Sequence, residues 1–365
     1  MAREDVRKQA STLAAAVLVA VLLALAPAAA AAWQPMHEVK LMVPAGRDGG
    51  ADRMARRIQH IVDKHDLMPV RLTVENREGG LGLEAYQAMA RSEGDPHRLV
   101  VSLSNLFTAP RVLGFPFRWD DMTPVALLVL DQFVLWVPAA SPHRSAGEYL
   151  EAAKAAGAYR FAMGGTAAKQ EDELITTAFE QASGAAFTYI PFAGGGEVVR
   201  QLTAGAIGSS VSNPIEAVDM WRAGKLRPLC VLSEQRLPYY ERLADDGRAW
   251  GDIPTCKEAG YDVAYEMLRC IFLPKGVGEE VVAYYADLLR RVTETPEWRE
   301  FVERGAFRPA FVTGPELAAR LSDADAYHER LLAGLGVIPA PDPVPAAGPL
   351  LQGQAPGAPG AAPLR

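Results

Sequence analysis

Three times along this chain a strand-like run ends in a loop of glycine and other small residues, and a helix-like run follows. The loops are Pro44-Ala45-Gly46-Arg47-Asp48-Gly49-Gly50-Ala51-Asp52, Gly164-Gly165-Thr166 and Pro191-Phe192-Ala193-Gly194-Gly195-Gly196. Strand alternating with helix implies parallel β-α units. A glycine loop at the turn leaves backbone N–H groups uncovered at a helix N-terminus, where the dipole favours an anion without any cationic side chain. An α/β fold follows, with its binding chemistry at the strand ends.

Hydrophobic periodicity fills in the rest. Strands are predicted over residues 39–43, 70–74, 99–103, 159–163, 187–190, 207–211, 226–232 and 267–273. Residues 127–137 form a longer apolar run with Asp131 in its middle, which suits a strand crossing between two lobes. Helices are predicted from residue 51 and over 84–91, 146–156, 170–182, 197–204, 279–293, 296–304 and 315–335. In the first, Met54, Ile58, Ile61 and Val62 share one face. Glu171, Asp172 and Glu173 open the fourth of these helices, where acids suit the dipole, so they are not taken as catalytic. Residues 37–138 and 268–338 are expected to form one lobe and residues 139–267 the other. The proline-rich residues 339–365 are expected to be a disordered tail with too little to bury.

A chain of 365 residues has room for two such lobes. Its 37 basic against 44 acidic residues argue against a nucleic-acid partner. Arg3, Arg7 and Lys8 precede an apolar run over residues 13–26, then Pro27 and alanines to residue 32. This is the pattern of a cleaved secretory signal peptide over residues 1–32 and a periplasmic destination. The alternative is a retained anchor, since residues 13–33 approach the roughly 20 that span a bilayer. In an oxidising compartment Cys230, Cys256 and Cys270 allow at most one internal disulfide. Each stands in an apolar context, so buried unpaired thiols are expected. Neither the cysteines nor the six scattered histidines match a metal motif.

The usual catalytic constellations are missing. There is no G-x-S-x-G elbow, no Gly-Lys-Ser/Thr closing a glycine loop and no dinucleotide fingerprint after the first strand. No cofactor or metal is expected, and an enzyme is the least supported reading. Binding requires less. N–H groups over residues 45–50, 166–168 and 194–196 can hold a carboxylate, and Ser104, Asn105, Thr166, Ser209 and Asn213 can add contacts at strand ends. The alternative for these side chains is helix capping or turn stabilisation.

Val43-Pro44-Ala45-Gly46 through Gly49-Gly50-Ala51-Asp52-Arg53-Met54-Ala55-Arg56, Val74-Glu75-Asn76-Arg77 before Gly79-Gly80, and Asp121-Met122-Thr123-Pro124-Val125-Ala126 stand in order. After them come Tyr189-Ile190-Pro191-Phe192, Ala223-Gly224-Lys225-Leu226-Arg227-Pro228-Leu229 and Ile253-Pro254-Thr255 before Glu258-Ala259-Gly260. Over residues 39–338 this pattern resembles the extracytoplasmic solute-binding receptors of the tripartite tricarboxylate transporter family, also called Bug receptors. The resemblance implies a type II periplasmic-binding-protein-like fold. Two α/β lobes, each a mostly parallel sheet flanked by helices, would close on a carboxylated solute. It also implies delivery to a large and a small membrane subunit by a receptor expected to be monomeric. A ligand-presenting partner of a membrane signalling protein would use the same cleft and stays open as the alternative.

Carried over residue by residue, the resemblance puts Ala45, Gly46, Arg47, Gly49, Gly50, Asp52, Asn76, Ser104, Asn105, Gly165, Thr166, Ala168, Lys169, Phe192, Gly194, Gly195, Gly208, Ser209 and Asn213 at the ligand. Gly208 stands where the family strand usually carries an acid, and Arg47 where a small residue is common. Ala167 and Ala168 replace the glycine and serine of the sub-branch that this segment resembles.

Overall fold

The computed structural model describes residues 33–244 and 247–339. The expected signal peptide and all of the expected tail beyond residue 339 lie outside them. The fold described here belongs to the compact body that begins at Pro35.

The first lobe opens with three strand–helix pairs: β1 (Val39–Val43), α1 (Gly50–Lys64), β2 (Leu72–Asn76), α2 (Leu83–Ala90), β3 (Arg98–Val101) and α3 (Asn105–Leu113). β4 (Met122–Gln132) follows, and after Phe133 the chain enters β5 (Val134–Pro138) in a second sheet. That lobe continues through α4 (Ala146–Ala156), β6 (Phe161–Thr166), α5 (Glu171–Ser183), β7 (Phe187–Phe192), α6 (Gly195–Thr203), β8 (Ser209–Ser212), α7 (Pro214–Arg222) and β9 (Leu226–Val231). β10 (Glu266–Pro274) returns to the first sheet, and α8 (Glu279–Thr293), α9 (Pro296–Arg304), β11 (Arg308–Val312) and α10 (Gly314–Gly334) close the first lobe.

The first sheet has the order β11-β4-β10-β3-β1-β2 and the second β7-β6-β8-β5-β9. In each, the strands that feed the glycine loops are parallel: β1 pairs with β2 and β3, and β6 with β7 and β8. Antiparallel strands complete both sheets. Parallel neighbours put their C-terminal ends on one edge, so all three glycine loops emerge where a ligand can be reached.

Each sheet has its own apolar core. Met42, Tyr86, Phe107, Leu127, Phe272 and Leu317 pack in the first lobe. Trp136, Trp221 and Trp250 anchor the second, with Trp221 and Trp250 ring centroids 4.6 Å apart.

Three expectations are corrected. The sheet changes at Phe133, so β5 lies in the second sheet and the boundary at residue 138 is too late. Residues 125–137 are buried throughout, and hydropathy alone carries no mark of the change. Elements α3, α7 and β11 were not predicted; α3 carries Pro110 and β11 carries Pro309, residues that weaken both patterns. Pro309 is tolerated because β11 is an edge strand. Finally, Cys230 and Cys256 form a disulfide rather than free thiols, while Cys270 is free and buried. Thr255 forms a parallel bridge with Val231, which brings the neighbouring cysteines together.

Candidate functional site

The loop between β1 and α1 is held from beneath by side chains that were expected at the ligand. Asp52 Oδ2 accepts from the Asp48 N–H at 3.0 Å and from Arg56 Nε at 2.9 Å. Asn76 Nδ2 donates to Asp52 Oδ1 and to the Ala45 carbonyl, both at 3.0 Å. Burial opposes ionisation of Asp52, but these donors outweigh it and hold the carboxyl below its ordinary value. Asn105 donates to the carbonyls of Pro44 and Leu81 and accepts from Tyr86 at 2.7 Å. The hydrogen bonds of Asp52, Asn76 and Asn105 thus shape the loop.

The second loop is built around Asp172, whose carboxylate accepts from the Thr166 N–H at 2.6 Å. Gly165 lets this happen: a Cβ there would stand 2.5 Å from Asp172 Cβ and 2.4 Å from the Tyr189 hydroxyl. Further along, Ala167 and Lys169 have φ of 52° and 58°, the left-handed region that disfavours a Cβ. Ala167 is where the sub-branch carries glycine. Ala167→Gly is therefore expected to raise stability, by about 0.5–1 kcal/mol once the looser unfolded chain is counted. Urea unfolding would show it, and a loss of stability would mean that the backbone strain is not real.

The first and third loops meet across the lobes. A Cβ on Gly194 would lie 3.7 Å from Gly46 Cα, and one on Gly46 would lie 3.2 Å from the Ala193 carbonyl oxygen. The N-termini of α1 and α6 thereby face a common cavity of about 40 Å³. A carboxylate of the chain itself stands there. Glu216, in the first turn of α7, accepts from the Gly50 N–H through Oε1 at 2.8 Å. Its oxygens lie 2.2 and 2.3 Å from where a Cβ on Gly195 would be. Burial raises the Glu216 carboxyl to about 7, against the Gly50 donor and with help from the Asp131 charge.

Beneath α1 lies an ion pair inside the protein. Arg269 of β10 donates to Asp131 Oδ2 of β4 through Nε at 2.9 Å and again through Nη2. Nη2 also reaches Asn213 Oδ1 at 3.2 Å, and Asn213 donates to the Gln132 carbonyl at 2.8 Å, linking the second lobe to the first. Arg269 and Asp131 are 1% and 0% exposed. Burial raises the Asp131 carboxyl while Arg269 works against it. Because a guanidinium keeps its proton, the pair stands as an ion pair. Arg269 Nη1 is left without a partner among the described residues.

Of the predicted residues, Ala45, Gly46, Gly49, Gly50, Thr166, Gly194, Gly195 and Asn213 line this cavity. Arg47, Ala168, Lys169 and Gly208 are exposed and outside its lining, and Phe192 is half-buried outside it. Ser104 and Ser209 are buried in the lobes, the latter bonded to the Tyr149 hydroxyl at 2.6 Å. Gly208 precedes β8 and Ser209 opens it, at the end away from Asn213, so the family's acidic position is not at this cavity. The lining also holds Leu103, Glu171, Asp172, Glu216 and Arg269, which were not predicted as ligand residues. Only Arg269 carried a signal, a cation inside an apolar strand.

Burial raises the Glu171 carboxyl, and Asp131 adds to the rise. Asp172 is raised well above the ordinary carboxylate range by burial and then by the Glu171 charge, against the Thr166 donor. A larger depression of about 420 Å³ is formed by residues 238–243, Arg222 and α9. It does not lie at the strand ends, and the convergence of helix N-termini decides for the smaller cavity. Among the described residues no group of side chains could hold a metal, and no helix is long and apolar enough to cross a membrane.

A family model described as the tripartite tricarboxylate transporter family receptor matches residues 54–336. Protein BugT of Bordetella pertussis is 26% identical over 285 residues, covering 76% of this chain and 81% of that protein. Among solved structures, R. palustris Rpa4515 with adipate superposes with a TM-score of 0.74 at 20% identity, covering 83% of this chain and 98% of that one. MatC from Rhodopseudomonas palustris with bound malate gives 0.70 at 21% identity, covering 82% and 99%. At such identities the two structures share the fold.

Proposed function

Because the chain belongs to the receptors of the tripartite tricarboxylate transporter family, we propose that it captures a small carboxylate-bearing solute in the periplasm and delivers it to the large and small membrane subunits of such a transporter. The family is one of receptors, not of enzymes. One observation carries the reading for this chain: helix N-termini from opposite lobes, those of α1 and α6, converge on one cavity with a buried arginine at its wall. Backbone donors there are fixed by the strands behind them, so they bind without reorganising.

The cavity of about 40 Å³ has room for water. Pockets that enclose organic ligands are nearer 300–1,000 Å³. A solute therefore enters only when the lobes part. The chain crosses between sheets at Phe133 and again between β9 and β10, and these crossings are where the lobes turn as rigid bodies. Closure is driven by contacts that exist only when both helix N-termini reach the same solute.

Protein unfolded and refolded to strip bound solute should gain stability with the right organic acid, by about 2.7 kcal/mol at one hundred times Kd. Thermal unfolding against a broad panel headed by malate and adipate, the acids in the two similar structures, tests this. A silent panel would remove the receptor reading.

A further inference from the structure

The corner between α9 and β11, residues 304–307, belongs to the first lobe by its place in the chain and to the second by its contacts. Ala306 is fully buried in the second lobe's apolar core, in one cluster with Trp221 and Trp250. The Trp250 indole donates to the Arg304 carbonyl at 3.2 Å, the Tyr239 hydroxyl donates to the Phe307 carbonyl, and the Arg304 guanidinium donates to Asp219 of α7. Gly305 also comes close to α7, since a Cβ on it would stand 3.1 Å from Ile215 Cβ. The segment that receives the corner is fastened to the second sheet by the Cys230–Cys256 disulfide and the bridge between Val231 and Thr255. The corner lies beside both crossings of the chain. Arg308 pairs with Leu130 near the end of β4, and its side chain reaches Glu266 at the head of β10. At the crossings the rings of Phe133 and Tyr265 meet edge to face, with centroids 5.4 Å apart.

The seam between the glycine loops is built differently. It is closed by small residues, by the hydrogen bond from the Gly50 N–H to Glu216 and by a cavity with room for water. Parting it breaks few bonds. Lifting the corner out would expose apolar core and strip the Trp250 and Tyr239 donors of their acceptors. Resting on the lobe motion of the receptor reading above, we infer that residues 304–307 form a third, non-covalent junction that stays seated as the lobes part. Two strand crossings alone leave the lobes free to twist as well as to open. A third point held beside them restrains the twist and leaves one hinge motion. The cleft then opens at the glycine loops only, and solute enters from that side.

Thiol labelling with iodoacetamide at pH 8, without any solute, tests the inference. Gly194→Phe is the wedge: even a Cβ there would lie 3.7 Å from Gly46 Cα, so a ring holds the seam apart. Gly46→Phe, where a Cβ would lie 3.2 Å from the Ala193 carbonyl oxygen, is the second wedge should the first fail to fold, which thermal unfolding checks. Ala51→Cys at the cavity and Ala306→Cys at the corner are the probes, at positions 2% and 0% exposed. Mass spectrometry of each peptide separates them from Cys270. The wedge is expected to raise labelling of Ala51→Cys at least about tenfold and to leave that of Ala306→Cys within about twofold. Labelling that rises at both positions, or at the corner alone, would overturn the inference, because the corner then leaves its seat. Labelling that rises at neither with either wedge would overturn it together with the lobe motion it rests on. The expected labelling beside a silent organic-acid panel would remove the receptor reading and leave the junction standing.

Discussion

Replacing Arg269 by methionine is expected to lower folding stability by about 3–5 kcal/mol at pH 8, because it strands a buried charge. Asp131 is fully buried, and both donors to its Oδ2 come from Arg269. Without them the carboxylate must stay ionised in the interior or take up a proton. The sign with pH follows. Without Arg269 the folded-state pKa of Asp131 lies above its unfolded value, so the variant is least penalised at acid pH and loses stability as pH rises above the unfolded carboxylate range. Urea unfolding at pH 5 and pH 8 should show the larger loss at pH 8. The paired change Asp131→Leu with Arg269→Met should recover much of it, since an apolar pair of similar volume needs no counter-charge. A loss below about 1 kcal/mol at pH 8 would mean that the pair is not shielded from water as described.

The opposite sign is expected for Glu216→Gln, which should make the unliganded chain more stable at pH 8. The folded-state carboxyl is raised from 4.5 to about 7 by burial, with the Gly50 N–H opposing the rise. Between those values the folded state binds more protons than the unfolded one, so stability falls as pH rises from about 5 to 7 and then levels. At about 1.36 kcal/mol per pH unit the loss is on the order of 3 kcal/mol, and glutamine avoids it while still accepting from Gly50. The groups facing Glu216 are Asp131 of β4, Arg269 of β10, Arg53 of α1 and Asp172 of α5. Asp172 and Glu171 are raised as well, so part of the pH slope should persist in the variant. Chemical unfolding of both proteins from pH 5 to pH 8 measures this, and a variant less stable than the parent at pH 8 would refute it.

What the sequence made legible was local. A strand, a glycine loop and a helix follow one another within a few residues, and the parallel units and the eight cavity-lining residues in the loops and at Asn213 came from that succession. The place of the acids at the cavity was not legible for the same reason. At a predicted helix start Glu171 and Asp172 look like partners of the dipole, Glu216 stands in a helix that was not predicted, and only tertiary packing brings the three to the cavity wall. Gly50 and Glu216 are 166 residues apart, and no periodicity links them. Asp52, Asn76 and Asn105 brace the loop, and sequence cannot tell such a polar side chain at a strand end from one that serves a ligand. The cysteines were decided by a bridge between Val231 and Thr255, again a contact that sequence spacing does not encode.

Glu216 has a consequence for how the cleft filters what reaches it. A carboxylate tethered to the protein acts as a competitor that never diffuses away, and its strength is its effective concentration at the α1 terminus. If it held that terminus for 99 of every 100 instants, any acid needing the same N–H groups would bind about one hundredfold more weakly. A solute that leaves Glu216 in place escapes this handicap altogether. Moving Glu216 aside is thus part of the work of binding any acid that uses the α1 terminus, and whatever changes the residence of that one side chain sets the threshold.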